Sequence, residues 1–147
     1  MAFAIITTIG FAQLSYAEPF TFEATTDGEP SMAGIMTPDG MVGSANLASN
    51  GVSTYVSGTV ENWSSTCTNF SSPQIDYDAQ GFCITTIEGT GDALNVVHVC
   101  NNTDVEGEND CWGYFAGGSG KYEKASGTLT WRTSPGGSAG GGNLNTE

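Results

Sequence analysis

The sequence predicts an all-β fold, and three features of the chain carry that prediction. Apolar and polar residues alternate with a period of two in several short stretches. Helical periodicity is almost absent after residue 17. Turn-forming residues separate the strand candidates, which cover residues 20–24, 41–48, 52–63, 82–90, 93–100, 111–116 and 128–133. Short strands at regular spacing are typical of an antiparallel β-barrel or, alternatively, of a β-sandwich.

Two dipeptides between strand candidates are typical hairpin turns. Asn50-Gly51 joins two β-prone stretches, and both central residues of a type I′ turn need the positive φ that Asn and Gly adopt most readily. Gly91-Asp92 separates another two candidates. The sequence therefore predicts turns at both places, and Thr26-Asp27-Gly28 is predicted to end the first strand.

The first residues have the pattern of a secretory signal peptide. Residues 2–14 are almost wholly apolar, and Ser15 and Ala17 supply the small-x-small pattern that precedes a cleavage site. The stretch is shorter than the ~20 apolar residues that span a membrane. No Lys or Arg precedes it. The alternative interpretation is a buried N-terminal strand or helix. We expect a signal peptide at 1–17, a secreted or periplasmic protein, and no membrane insertion after cleavage.

The rest of the chain is predicted to be one domain with a tail. Its length favours a single β-domain, which we place at residues 18–133. Residues 134–147 read SPGGSAGGGNLNTE, a Gly/Ser-rich composition typical of flexible linkers. This tail is expected to be disordered.

The charge balance excludes some classes of partner. Sixteen Asp and Glu stand against Lys121, Lys124 and Arg132, which gives a formal net charge of −13. Phosphate backbones and anionic membrane surfaces attract Lys and Arg, so neither nucleic acid nor such a membrane is an expected partner.

Four cysteines predict two disulfide bonds. An even number of cysteines in an exported chain indicates disulfides, and three pairings are possible here. We expect Cys67–Cys83 and Cys100–Cys111, because each pair brackets one strand–turn–strand unit. A zinc site would need close Cys or His spacings that the chain lacks, and His98 is the single histidine.

One passage resembles a known family. Residues 115–127 read FAGGSGKYEKASG and lead into the strand candidate 128–133. The passage resembles the GG(S/T)G-x-(F/Y)-x-x-A-x-G stretch of the allene oxide cyclase and dirigent-like β-barrels, which include exported bacterial relatives of unknown role. The matching positions are Gly117, Gly118, Ser119, Gly120, Tyr122, Ala125 and Gly127.

The resemblance implies an antiparallel eight-stranded barrel with a central cavity. Its glycines would allow positive φ and close backbone approach, and Tyr122 would plug one barrel end. The resemblance assigns no catalytic role. Enzymes of the family place their catalytic acids and polar groups in other strands, and those positions cannot be matched to residues of this chain.

Two groups of residues are candidate binding sites. In a barrel of this size the interior is filled by side chains or holds one small molecule. The ordinary role of large aromatic residues is core packing, and the alternative is a ligand cavity. The candidate ligand-binding residues are Trp63, Phe82, Trp112, Tyr114 and Trp131.

The second group is an acidic loop, whose carboxylate oxygens are hard ligands suited to calcium. The spacing of these residues is not that of an EF-hand, and the ordinary interpretation is a solvated loop. Its candidate metal ligands are Asp104, Glu106, Glu108 and Asp110.

Three functions remain open from the sequence. The first is an exported, non-enzymatic barrel that binds a small apolar molecule or serves as a stable module, with no required cofactor. The second is a cyclase- or dirigent-type enzyme, which needs a buried carboxylate such as Glu88 or Asp92 in the cavity; His98 would act as a base only with a partner beside it. The third is a calcium-dependent surface or adhesion module.

Overall fold

The computed structural model describes residues 16–147, which form eight strands and one turn of 3₁₀ helix. The strands are β1 (Glu18–Thr37), β2 (Gly40–Tyr55), β3 (Val60–Ser71), β4 (Ala79–Ile87), β5 (Ala93–Asn102), β6 (Asn109–Gly118), β7 (Ser126–Ser134) and β8 (Gly137–Asn145). The 3₁₀ turn, η1, covers Gly120–Tyr122 between β6 and β7. Most of the predicted signal peptide lies outside the described residues.

The eight strands close into one antiparallel barrel in sequence order. Each strand pairs with the next along the chain, and β8 pairs with β1 to complete the ring. The structure confirms the all-β fold and the eight-stranded antiparallel barrel, and it is not a sandwich. Within residues 16–147 no helix is long and apolar enough to cross a membrane.

The predicted disordered tail is wrong, because most of it is the strand that closes the barrel. Residues of β8 pair with β7 from Ser126 to Ser134 and with β1 from Glu18 to Thr25. The barrel domain therefore extends to Asn145 instead of ending at 133. The Gly/Ser-rich residues, whose composition is typical of a linker, instead form the strand that pairs with both β7 and β1.

The glycines of β8 allow it to lie close to its neighbours. A Cβ on Gly140 would overlap with the carbonyl oxygen of Thr130, and a Cβ on Gly142 would overlap with that of Thr128. Side chains at these positions would push β8 away from β7, so a glycine-rich strand is required for closure.

The predicted turn at Asn50-Gly51 is also wrong. β2 runs without interruption through both residues, and the chain turns instead between Tyr55 and Val60. Gly51 lies opposite Trp63 on β3, and a Cβ there would overlap with the Trp63 indole. This glycine therefore makes space for a buried ring and is not a turn residue.

Alternation along each strand divides its residues between the interior and the surface. On β1, Phe20 and Ala24 are buried, whereas Thr21 and Glu23 between them are exposed. The inward residues form one apolar core, made of Phe20, Ala24, Trp63, Cys83, Ile87, Leu94, Val96, Phe115, Tyr122, Ala125, Leu129 and Leu144. This is the interior in which a ligand site is expected.

Strand β1 extends beyond its pairing with β8. β8 pairs with β1 only as far as Thr25, and beyond it β1 continues to Thr37 paired with β2 alone. The predicted strand end at residues 26–28 is a bulge between Asp27 and Ser31, not a termination. From Thr25 to Met36 every residue of β1 is exposed.

Both predicted disulfides are confirmed. Cys67 on β3 faces Cys83 on β4, and Cys100 on β5 faces Cys111 on β6, with S–S distances of 2.02 and 2.00 Å. Each bond joins directly opposed residues of neighbouring strands. These bonds are consistent with an oxidising environment.

Deleting residues 134–147 tests the role of β8. We expect the shortened chain to lose its cooperative thermal transition in circular dichroism, because β1 and β7 both lose their partner and the interior opens to water. The control removes only Thr146 and Glu147, which follow β8. A chain lacking 134–147 that melts like the full-length protein would contradict the closed barrel.

Candidate functional site

The centre of the barrel contains a cavity of about 110 Å³. Its wall is mostly apolar and includes residues from all eight strands. The lining residues are Phe20, Phe22, Ser49, Ser53, Tyr55, Trp63, Ser65, Cys67, Cys83, Thr85, Ile87, Leu94, Val96, Phe115, Leu129, Trp131, Ser138 and Leu144. No charged side chain is among them, so the cavity suits an uncharged molecule.

A few hydroxyl groups interrupt the apolar wall. The Trp63 indole Nε1 donates to Ser53 Oγ at 3.0 Å, which fixes the ring edge. Ser65 Oγ and Thr85 Oγ1 share a hydrogen bond of 3.0 Å across β3 and β4. Ser53 accepts from the indole and has no acceptor for its own proton among the described residues, so this hydroxyl can donate to a bound molecule.

The structure places two of the five predicted ligand-binding aromatics at the cavity. Trp63 and Trp131 line it, whereas Phe82, Trp112 and Tyr114 lie exposed on the outer surface. The prediction that these three face the cavity is wrong. Tyr77, also outside, packs edge-on against Trp112 with ring centroids 5.3 Å apart.

The orientation of the disulfides explains this error. Cys83 and Cys111 are buried inward residues, and strand side chains alternate between the two faces. Phe82 and Trp112, each one residue away from an inward cysteine, must therefore face outward. Combining the predicted disulfides with the period of two would have placed these rings on the surface.

Beneath the cavity, a buried carboxylate forms the floor of the barrel. Glu61 Oε2 accepts hydrogen bonds from Tyr55 at 2.9 Å and from Tyr122, and Oε1 forms an ion pair with Lys121. Tyr122 is the most buried large side chain described. Tyr55 lines both the cavity and a separate pocket of about 300 Å³ below it, so the Glu61 cluster lies one side chain from the cavity.

The pKa values of this cluster follow from burial and hydrogen bonding. Burial raises the pKa of the Glu61 carboxyl, but the hydrogen bonds from Lys121, Tyr122 and Tyr55 outweigh it, and the net pKa is lowered. The pKa values of the Tyr55 and Tyr122 phenols are raised, and burial is the main cause. At neutral pH the floor therefore holds a carboxylate, which is ion-paired with Lys121, and two neutral phenols.

The passage that resembles the cyclase and dirigent-like barrels forms this floor. Gly117 and Gly120 have φ values of +71° and +59°, which a glycine adopts without strain. They turn the chain so that η1 presents Lys121 and Tyr122 to Glu61 on β3. The role of Tyr122 as a plug was expected from the resemblance, but its partner Glu61 was missed.

Alternation alone would have identified Glu61. It lies two residues before Trp63 in Val60–Trp63, so both side chains point to the same face. The carboxylates that we proposed instead do not reach the cavity, because Glu88 is exposed and Asp92 lies in the β4–β5 connection.

His98 is buried above the cavity. Its Nε2 donates to Asn69 Oδ1 at 2.7 Å, and its ring packs edge-on against Trp131 with centroids 5.4 Å apart. Burial lowers the pKa of the imidazole to about 4, so it is neutral at physiological pH. No carboxylate of the described chain bonds to it, and it does not line the cavity.

The acidic loop between β5 and β6 does not bring its carboxylates together. Asp104 and Glu106 are exposed, and Asp110 is held by a bidentate ion pair with Arg132 at 2.7 and 2.9 Å. The hydrogen bonds from Arg132 lower the pKa of Asp110. Among residues 16–147, no group of three or more His, Cys, Asp or Glu is arranged to hold a metal ion. Calcium binding by Asp104, Glu106, Glu108 and Asp110 stays a prediction.

Comparison with known proteins gives no relative from which a site could be transferred. No family model matches the chain, and the comparisons with curated proteins and with solved structures find no match. The site is therefore argued from its own geometry.

Replacing Tyr122 with Phe tests the floor of the barrel. We expect the free energy of unfolding to fall by about 1.5–3 kcal/mol, because a hydrogen bond to a buried charged group is lost. Urea titration measures this loss, and Tyr114→Phe on the exposed surface is the matched control, with a change of about 0.5 kcal/mol or less. Equal effects of the two substitutions would contradict a structural role for Tyr122.

Glu61 makes a stability contribution that depends on pH. Its folded pKa is lowered, so the contribution is fully present above the unfolded value of about 4.3 and is lost as the pH falls through the folded pKa. We expect Glu61→Gln to be less stable than the native protein at pH 7 and to lose part of the decline in stability on the acid side. Urea titrations at a series of pH values from neutral to acid measure the free energy of unfolding of the two proteins. If this free energy falls in parallel for both proteins as the pH is lowered, the lowered pKa of Glu61 is contradicted.

Proposed function

We propose that this protein is an exported β-barrel module that binds one small, uncharged, apolar molecule in its central cavity. The observation that carries the proposal is the 110 Å³ cavity with an apolar, uncharged wall and a few inward hydroxyls. Ligand pockets have this composition: apolar walls give affinity, and single polar groups fix orientation.

The size of the cavity restricts the ligand. An engineered cavity of about 150 Å³ lined by apolar residues in another protein binds benzene, and drug-sized ligands use pockets of about 300–1,000 Å³. A cavity of 110 Å³ therefore suits a molecule on the scale of a single ring. Long acyl chains are too large for it in the conformation described.

Two observations support export. The two disulfides favour an oxidising compartment, and residues 1–17 have the pattern of a signal peptide. We infer a secreted or periplasmic location for the mature protein.

A cyclase- or dirigent-type enzyme is the second candidate. The observation that favours it is Glu61, a buried carboxylate hydrogen-bonded to Tyr55, whose ring lines the cavity. Against it, Glu61 is engaged by three donors and does not itself line the cavity. The calcium-dependent module is less well supported, because Arg132 already neutralises Asp110.

Native mass spectrometry of protein exported with its own residues 1–17 tests the proposal. We expect a mature chain beginning at Glu18, four protons lighter than the reduced form, and carrying a small molecule or taking up toluene as a probe. Trp63 and Trp131 line the cavity, so toluene binding is also expected to change tryptophan fluorescence.

A cavity-filling variant supplies the matched control. Ser49 lines the cavity, and Ser49→Leu is expected to weaken toluene binding by about tenfold or more by occupying its space. Ser64 on β3 is exposed on the outer face, so Ser64→Leu is expected to leave toluene binding unchanged. Protein that is empty and takes up neither toluene nor comparable single-ring molecules would overturn the proposal.

A further inference from the structure

The part of β1 from residue 26 to residue 37, which pairs with β2 alone, has one free edge. β8 leaves β1 at Thr25, and in the described chain no strand pairs with the other edge of β1 from residue 26 to residue 37. Such an edge presents unpaired N–H and C=O groups to solvent. It is a template on which an extended peptide can add a strand.

An apolar trough lies beside this edge. Gly34 and Gly43 are cross-strand partners and leave a strip without side chains. On the same face, Met36 and Met41 form the pair at one end of the strip, and Met32 lies at the other end. The pocket over the strip has a volume of about 340 Å³.

The methionines of this trough are unusually exposed for apolar side chains. Met32, Met36 and Met41 are 67%, 78% and 42% exposed, and they are the only methionines in the described residues. Met side chains adapt their shape to different apolar partners and are common on surfaces that bind peptides. The trough can therefore receive apolar side chains of an added strand.

The charges around the trough define the partner. The hairpin itself is uncharged from residue 30 to 38 and from 40 to 49, but carboxylates flank it. Asp27 and Glu29 lie on the free edge of β1, and Asp39 lies in the hairpin turn at the end of that edge. The ion pairs found among residues 16–147 are Lys121–Glu61 and Arg132–Asp110, so these three carboxylates have no cation partner there.

We propose that the free edge of β1 binds an extended segment of a partner protein in which basic and apolar residues alternate. The added strand would hydrogen-bond to β1, place its apolar side chains in the methionine trough, and direct Lys or Arg to the flanking carboxylates. A second copy of this chain fits poorly, because it brings a net charge of −13 and the same carboxylates. An anionic membrane is repelled for the same reason. This interaction does not involve the cavity and is independent of the proposed ligand.

Fluorescence anisotropy with a synthetic probe tests the proposal. The probe is a labelled peptide of about twelve residues, the length of the free edge, in which Lys alternates with Val and Ile. We expect saturable binding that weakens as NaCl is raised, because the charge pairs are exposed. Two control peptides, one with Ser in place of Val and Ile and one with Glu in place of Lys, are each expected to bind about tenfold or more weakly.

Matched variants locate the binding. We expect Met36→Ser combined with Met41→Ser to weaken probe binding about tenfold, whereas Val56→Ser, 77% exposed in the β2–β3 connection, leaves it unchanged. Glu29→Gln with Asp39→Asn is expected to weaken binding and reduce its salt dependence, unlike Glu88→Gln with Glu123→Gln, exposed residues outside the hairpin. Hydrogen exchange should slow at residues 26–37 when the probe binds.

Several results would overturn the proposal. They are the absence of saturable binding, equal binding of the Lys-Ser peptide, equal weakening by Val56→Ser, and slowed exchange elsewhere than at residues 26–37. Sedimentation velocity without the peptide gives a further test. A self-dimer that dissociates in the Met36→Ser, Met41→Ser variant would identify a second copy of this chain as the occupant instead.

Discussion

Closure of the barrel by β8 is the constraint on which the rest of this structure depends. β8 must approach β7 and β1 so closely that a Cβ at Gly140 or Gly142 would overlap with a carbonyl oxygen of β7. The glycines cost backbone entropy on folding, and the gain is a ring without a free edge along residues 18–25 of β1. Because the ring is closed, alternate residues of every strand share one interior.

That interior is arranged in three levels. The upper level holds His98, hydrogen-bonded to Asn69 and packed on Trp131, and the disulfide bonds join neighbouring strands of the wall. The middle level is the uncharged cavity. The lower level is the Glu61 cluster, in which a buried carboxylate is satisfied by two phenols and an ammonium group. In the described chain no buried polar side-chain atom lacks a hydrogen-bond partner, so the polar levels stabilise the barrel without disturbing the apolar space between them.

Local patterns predicted the fold class and the disulfide pairing, because both depend on spacing along the chain. The functions of individual glycines could not be predicted in this way. Gly51 accommodates the Trp63 ring from the neighbouring strand, and the glycines of β8 lie against both β7 and the distant β1, so a turn and a linker were predicted in their place. The division between inward and outward side chains could have been predicted from alternation along the strands. Phe82 and Trp112 are each next to an inward cysteine and so face outward, whereas Glu61 lies two residues from Trp63 and so faces inward. The cavity itself depends on how all eight strands pack and was expected only from a resemblance to barrels of known shape.

The central claim is that residues 137–145 are an integral strand of a closed barrel. Native-state hydrogen exchange followed by NMR tests it most directly, because amides in a core strand exchange only through large-scale unfolding whereas amides in a flexible tail exchange freely. The structure predicts that amides of β8 that donate to β1 and β7 are protected to about the same free energy as those of β3 and β5. Exchange of the β8 amides at the rate of an unstructured peptide would contradict the closed barrel, and with it the central cavity.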